Sequence, residues 1–288
     1  MKIMCTGTTG FIGTNLVFKL LAAKHVVALL KRKTSSLHIL EQVRNDIIIY
    51  DYTTYTDIQN AITDFMPDVV IHLATLYINR HKVNDIPQLI ESNILFGTQL
   101  LEAMKNSGVQ KFINFGTRWQ HVDNTFYNPA NLYAATKQAF FDMLLWYMKN
   151  GISAKTLELC DTFGKYDTRK KIVNLMIEAC KDKKHLDLSP GEQILDMVFI
   201  DHVINYLLKN IGNDGFFDNT ALQLIGSEIK LKDLGCLIET LSGVTGFLRW
   251  GEKPYRNNEV MTPPLSSGIA SHILKADLAE DIKQCFFS

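Results

Sequence analysis

The chain has 288 residues, 47% of them hydrophobic and 21% charged, with 30 Lys and Arg balanced by 30 Asp and Glu. That length suits one large domain, or a domain with a smaller lobe. The balanced charge gives no reason to expect nucleic acid or an acidic membrane surface as a partner. No apolar run approaches the roughly 20 residues of a membrane span, and glycines arrive too early for a secretory leader. The five cysteines (Cys5, Cys160, Cys180, Cys236 and Cys285) are odd in number and scattered, without a CxxC. Reduced thiols in a cytoplasmic protein are expected, not disulfides or a zinc site. The eight histidines show no metal-ligand spacing. His72, which closes an apolar run, is read as a satisfied structural histidine.

Along the chain, short apolar runs alternate with helical patterns. KIMCT (2–6), VVALL (26–30), DIIIY (46–50), DVVIHL (68–73), KFINF (111–115) and AKTLEL (154–159) predict strands. They are apolar nearly throughout, as a parallel sheet covered on both faces requires. Helices are predicted over 11–23, 36–44, 56–65, 86–107 and 131–149. Strand and helix alternating in this way predict a doubly wound α/β sheet with right-handed crossovers. Past residue 160 the rhythm breaks. Helices are expected over 170–182, 201–209 and 230–241, with short strands near 194–200 and 222–226. The expected division is a dinucleotide-binding domain over 1–160, to which 196–225 returns, and a smaller lobe from 161–195 and 226–288.

GTTGFIG, at 7–13, falls where the first strand gives way to the first helix. Gly7 can take backbone angles closed to other residues. Gly10 lets a pyrophosphate touch the backbone at a helix N-terminus, where N–H groups and the helix dipole favour an anion. Gly13 lets the helix pack closely on the strand. The pattern is GxxGxxG, not the commoner GxGxxG; its place in the first βαβ unit gives it meaning. An NAD site places an acid at the end of the second strand, to accept from the ribose 2′-OH. Here that strand ends in Lys31, Arg32 and Lys33, and no Asp or Glu occurs between Gly7 and Leu40. A 2′-phosphate would meet these cations and the hydroxyls of Ser35 and Ser36, so NADP(H) is expected; the alternative is a solvated basic loop. Asp51 and Tyr52, after the third strand, are expected at the adenine edge.

YAATK places Tyr133 and Lys137 on one face of a helix, four residues apart. A phenol titrates near 10 in water, and a neighbouring ammonium favours its phenolate. Tyr133 is therefore a candidate acid or base for a carbonyl–alcohol pair. NFGT ends the fifth strand, which puts Thr117 at the carboxyl edge of the sheet, where open α/β folds bind ligands. Its hydroxyl can donate to the same oxygen, or simply cap a turn.

Taken together, Gly7-x-x-Gly10-x-x-Gly13, VIHLA (70–74), Asn93 ahead of GTQLLEA, Thr117 and Tyr133-x-x-x-Lys137 resemble the extended short-chain dehydrogenases/reductases, in their nucleotide-sugar epimerase/dehydratase branch. DTFG (161–164), GEQILDMVFIDHV (191–203) and PYRNNEVM (254–261) resemble that branch's sugar-nucleotide half. The resemblance implies a Rossmann doubly wound parallel sheet with a smaller C-terminal sugar-nucleotide lobe. It implies that Thr9, Phe11, Ile12, Leu73, Ala74, Thr75 and Asn93 face the cofactor. It further implies that Lys137 holds the nicotinamide ribose, and that Tyr133 and Thr117 bracket the sugar carbonyl. A homodimer through helices 86–107 and 131–149 follows from the same likeness.

The departures narrow the reaction. Dehydratases of the branch carry Asp-Glu after the threonine; here Arg118 and Trp119 follow. DTFGKYDTRKK (161–171), IESNIL (90–95) and NLYAATKQ (131–138) are most similar to the bacterial CDP-3,6-dideoxyhexose synthases, the abequose and paratose synthases. That likeness implies reduction of C4 of a CDP-linked 4-keto-3,6-dideoxy (or 6-deoxy) sugar by NADPH, as in O-antigen or deoxysugar biosynthesis. The branch's arginine in QRDF is Leu195 here. Arg256 matches a second pyrophosphate arginine, and Arg169 and Lys171 are cations suited to phosphate; a solvated helix start is the alternative for this pair. Asp161 stands where the branch has Asn. Tyr77, Arg80, His81 and Arg118 complete the expected substrate side. Two alternatives remain at this point: an epimerase that retains NAD, and an NADP-binding protein without catalysis.

Overall fold

Strands that must be covered on both faces need helices on both sides, and the chain supplies them in turn. The computed structural model describes every residue except Asn258, Lys275 and Ser288, so PYRNNEVM and the end of the expected lobe include positions outside the described residues. β1 (Lys2–Thr6) leads through the glycine turn into α1 (Phe11–Ala22), which buries Leu16, Val17 and Leu20. β2 (Val26–Arg32) and β3 (Ile47–Tyr52) follow. The helix expected over 36–44 is instead 3-10 turns over His38–Asp46, broken at Val43; only Leu40 is buried there, too little to hold a packed helix. α2 (Tyr55–Phe65) starts from a capping box between Thr54 and Asp57 and leads to β4 (Val69–His72).

The helix expected over 86–107 comes in three pieces: α3 (Ile86–Ile90), a π turn (Glu91–Leu95) and α4 (Phe96–Ser107). β5 (Lys111–Thr117), α5 (Leu132–Met148) and β6 (Ser153–Leu159) complete the first half. Beyond it lie β7 (Asp161–Phe163), α6 (Ile172–Asp182), β8 (Leu186–Asp187), β9 (Ile194–Phe199) and α7 (Ile200–Asn210). β10 (Thr220–Ile225), β11 (Ser227–Lys230), α8 (Leu231–Ser242), β12 (Leu248–Arg249), β13 (Ala270–Ile273) and α9 (Leu278–Phe286) end the chain.

Eight strands form one parallel sheet in the order β13-β10-β6-β5-β4-β1-β2-β3. One face packs a core that includes Ile3, Leu29, Ile113, Leu157 and Leu222 against α1 and α7. The other packs Met4, Leu30, Val70 and Phe112 against α2, α4 and α5. A smaller lobe has its own core of Phe163, Met176, Met197, Phe199, Leu234 and Ile238 around the sheets β11-β9-β7 and β12-β8. The chain passes between the two bodies more often than expected. β10 joins the large sheet beside β6, but β9, from the same expected returning segment, lies in the small one. β13 sits at the edge of the large sheet, although 226–288 was expected wholly in the lobe. The reason is physical: strands of four to six residues carry too little pattern to name their neighbours, and only long-range pairing selects their sheet.

Candidate active site

The strand order reverses between β1 and β4, and a cavity of about 1070 Å³ opens there, at the carboxyl ends of the strands. The glycine turn forms its floor. Gly7 has φ +66°, and a Cβ there would lie 2.4 Å from Ala74 N. A Cβ on Gly13 would lie 2.4 Å from Gly7 O, so α1 packs on its own approach loop. At Gly10 the nearest atom to such a Cβ is Gly7 O, at 3.4 Å, and the turn is open toward the cavity. Gly10 caps α1 with no side chain, and the first turn holds no acid. An open, uncapped helix start within a cradle of glycines fits a dinucleotide pyrophosphate. Thr9, Phe11, Ile12, Leu73, Ala74 and Thr75 line the same cavity.

At the far end, Lys31, Arg32, Lys33 and Ser35 all line the cavity. Lys31 is committed elsewhere: its ammonium pairs with Asp51 at 2.6 Å and donates to Ser35 O at 3.0 Å. Asp51 therefore holds a lysine and is absent from the cavity wall, where the adenine edge was expected. Tyr52 does line the wall, stacked on Phe96 with ring centroids 4.5 Å apart.

α5 supplies the opposite side. Asn131 caps it by accepting from Ala134 N at 2.9 Å, which places Tyr133 in the first turn and Lys137 one turn on, both lining the cavity. Burial pushes the Tyr133 phenol up to about 12, and Tyr77 adds to the rise; a hydrogen bond with Thr75 and the charge of Arg169 oppose it. Lys137 is 4% exposed, and burial pulls its ammonium down to about 8. Thr117, at the end of β5, both lines the cavity and caps a turn: its hydroxyl accepts from Trp119 N at 3.3 Å and donates to Leu159 O at 3.4 Å.

Asn93 does not reach the cavity wall. Its Oδ1 accepts from Leu76 N at 2.7 Å and Thr75 Oγ1 at 3.1 Å; its Nδ2 donates to Leu76 O at 3.0 Å and Thr136 Oγ1 at 2.9 Å. It clamps the loop after β4 to α5, and through Thr75 it supports Tyr133. The π turn in which it sits brings it there. His72 is 1% exposed and bonds Thr6 Oγ1 through Nδ1 at 2.9 Å, with burial pushing it down to about 3. That is the structural histidine expected.

On the substrate side the outcome is mixed. Tyr77 meets Tyr133 edge-on with centroids 4.9 Å apart, and the Lys171 ammonium lies 4.8 Å from the Tyr77 ring; both residues line the cavity. Arg169 lines it too. Arg118 does not: fully buried, it pairs with Asp196 and donates from Nε to Pro264 O at 2.6 Å. It ties β5 to the lobe. Asp161 is off the wall, its carboxyl raised by burial against the pull of Lys171. Arg80, His81 and Arg256 are exposed and outside the cavity, Arg256 lying 4.0 Å from Glu259. Trp119, Thr162 and Tyr166 line the cavity, and none was expected at the site, because short strands and turns carry no period to reveal them.

A glycine turn at a switch point, facing a tyrosine and a buried lysine one helical turn apart, defines an extended short-chain dehydrogenase/reductase. The model of the "NAD dependent epimerase/dehydratase family" matches residues 3–216. A CDP-abequose synthase of Yersinia pseudotuberculosis is 32% identical over 266 residues, covering 91% of this chain and 92% of that protein. One from Salmonella muenchen is 26% identical, over 90% of this chain and 87% of its own. Among solved structures, the UDP-glucose 4-epimerase of Thermotoga maritima with UDP-glucose superposes with a TM-score of 0.84 at 20% identity, covering 99% of this chain and 97% of that one. The enzyme of that name from Thermus thermophilus, in complex with NAD, gives 0.82 at 20%, over 99% and 98%. At that identity the structural likeness speaks for the fold. The chain belongs to the NAD dependent epimerase/dehydratase family.

Proposed function

We propose that this chain is an NADPH-dependent reductase of the 4-keto group of a nucleotide-linked deoxyhexose, with a CDP-linked 4-keto-3,6-dideoxy sugar as first candidate and a 6-deoxy sugar as second. The observation that carries the reading is the charge of the cavity beside Tyr133. Arg32, Lys33, Lys137 and Lys171 line it together with Lys31 and Arg169, which pair with Asp51 and Asp167 off the wall, and Glu91 is the one acid among the described residues of the wall. A phosphorylated dinucleotide and a sugar diphosphate are both anionic, and guanidinium and ammonium groups suit their phosphates. Arg118 and Trp119 after Thr117, in place of an Asp-Glu pair, speak for reduction over the expulsion of water from a sugar ring. The names of the CDP-abequose synthase relatives agree with this substrate class.

Bound in this site, NADPH would supply the hydride. Gly7, Gly10 and Gly13 would cradle its pyrophosphate, with Arg32, Lys33 and Ser35 beside the 2′-phosphate. Tyr133 would give its proton to the oxygen at C4 as that carbon becomes an alcohol. A phenol pushed up to about 12 keeps its proton at neutral pH, which suits a donor in the reducing direction. Thr117 would hydrogen-bond the same oxygen, and Lys137 would hold the ribose and steady the charge on Tyr133. A homodimer belongs to the same proposal: Leu95, on the π turn, and Met143 and Trp146, on α5, are 49%, 43% and 50% exposed. Analytical ultracentrifugation checks it.

The test is turnover. Purified protein mixed with NADPH and CDP-4-keto-3,6-dideoxyglucose should consume the cofactor, and Arg32→Ala should weaken NADPH binding about tenfold without weakening NADH. Tightly bound NAD in the purified protein, with no net consumption of NADPH, would replace this reading with a cofactor-retaining epimerase.

A further inference from the structure

Segment 164–171 runs across the start of α1. Asn15 Nδ2 donates to Lys165 O at 2.7 Å, and the rings of Phe18 and Tyr166 meet at 5.6 Å. Arg169 goes furthest: its guanidinium carbon lies 4.4 Å from the ring centroid of Phe11, the residue after Gly10. The guanidinium is held rigidly. Nε donates to Asp167 Oδ1 at 2.7 Å and Nη2 to Oδ2 at 2.8 Å, while Nη2 also reaches Thr162 O at 2.9 Å and Oγ1 at 3.1 Å. The Asp167 carboxylate has no exposure, and the loop is pinned again where Asn174 Nδ2 donates to Asp167 O and Arg169 O. Nη1 takes no part in the hydrogen bonds among described residues, and Arg169 lines the cavity. Its charge also reaches Tyr133, whose phenol it pulls down against burial.

A planar cation braced by a buried carboxylate, stacked on the first residue of α1 and close enough to act on the catalytic phenol, is an anion site already assembled. Asp167 is spent on Nε and Nη2, so an arriving phosphate meets Nη1 donors and not the carboxylate. The sequence pattern suggested a sugar-diphosphate contact for this arginine. We infer that Arg169 is instead a clamp on the cofactor: with the glycine turn, it grips the dinucleotide's pyrophosphate, so that the small lobe holds the cofactor. The inference rests on a dinucleotide filling the cavity, and not on which sugar is reduced.

Binding titrations by protein fluorescence, with no sugar present, test it. Arg169→Gln should weaken NADPH and NADH together, each about tenfold, because both carry the pyrophosphate. Asp167→Asn, which frees the guanidinium, should weaken both in the same direction by less. The sugar-nucleotide KM, measured at saturating NADPH, should stay within about twofold. Thermal denaturation shows whether each variant folds, and Arg169→Lys serves if Arg169→Gln does not. Loss confined to NADPH would make Arg169 a reader of the 2′-phosphate and overturn the inference. So would unchanged dinucleotide binding with a raised sugar-nucleotide KM. Wild-type protein that binds both dinucleotides yet reduces no 4-keto sugar would sink the proposed reaction and leave the clamp standing.

Discussion

The two halves of the molecule treat their charged and polar side chains differently. In the first 160 residues, the glycine turn, the basic end of β2, Thr117, Tyr133 and Lys137 all face one cavity, and the expected groups that miss it are Asp51, Arg80, His81, Asn93 and Arg118. After residue 160 the expected substrate groups scatter. Arg169 and Lys171 reach the cavity, Asp161 and Arg256 do not, and Asp196 is spent holding Arg118. The first half is built from consecutive βα units, so a short spacing in sequence fixes a place at the sheet edge. The lobe pairs β7 with β9 and β8 with β12 across intervening helices and strands, and there spacing says little about where a side chain ends.

That contrast can be broken or sharpened by substitution. The largest effect should come from Tyr133→Phe. Removing the proposed proton donor is expected to lower kcat by about 10²–10⁴-fold, with NADPH affinity held within about twofold. Stopped assays and titration check it, and unchanged kcat would remove the first half's claim to the chemistry. Arg118→Ala should do the reverse. It leaves the Asp196 carboxylate buried without its partner, so a loss of about 3–5 kcal/mol is expected in urea unfolding. The protein that remains folded should still bind NADPH. A stable Arg118→Ala with poor sugar binding would return Arg118 to the substrate side.

At Lys137 the proposed chemistry and stability oppose each other. Burial lowers its ammonium from an ordinary 10.5 to about 8, a cost of about 3 kcal/mol to the folded protein below pH 8. The unfolded chain binds the proton more tightly than the folded one. Wild-type stability without cofactor should therefore rise between pH 8 and 10.5. Lys137→Met lacks that slope and should be more stable at pH 7, by about 1–3 kcal/mol, while losing activity. Parallel pH profiles for the two proteins would refute this. The smallest effect is expected from Arg256→Ala. An exposed residue outside the cavity should shift stability by under about 0.5 kcal/mol and sugar-nucleotide KM by under about twofold. A tenfold rise in KM would show that the lobe closes further over its substrate than this structure does.

Part of this site was legible in the residues alone. Gly7, Gly10 and Gly13 announced a turn with three separate demands on space; the geometry shows those at Gly7 and Gly13, and at Gly10 it shows a turn open toward the cavity. Tyr133 and Lys137 were legible because four residues is one helical turn. Asp51 was misplaced because nothing local shows that Lys31 would claim it. Asn93 was placed on the cofactor, and it proved to be a clamp because a π turn inside a helical pattern leaves no mark in the hydrophobic period. Arg118 was read as a substrate contact, since its partner lies 78 residues away on β9.

The sequence by itself determined the alternating architecture, the open helix start, the face of α5 that carries Tyr133 and Lys137, and the basic end of β2, each set by contacts within its own βαβ unit. Tertiary structure alone decided which cations face the cavity and which are spent on carboxylates, which sheet the short strands join, and that Arg169 lies on Phe11. Those outcomes depend on pairing between distant segments. A buried charge finds whichever partner the fold brings within reach, and no spacing along the chain encodes that choice.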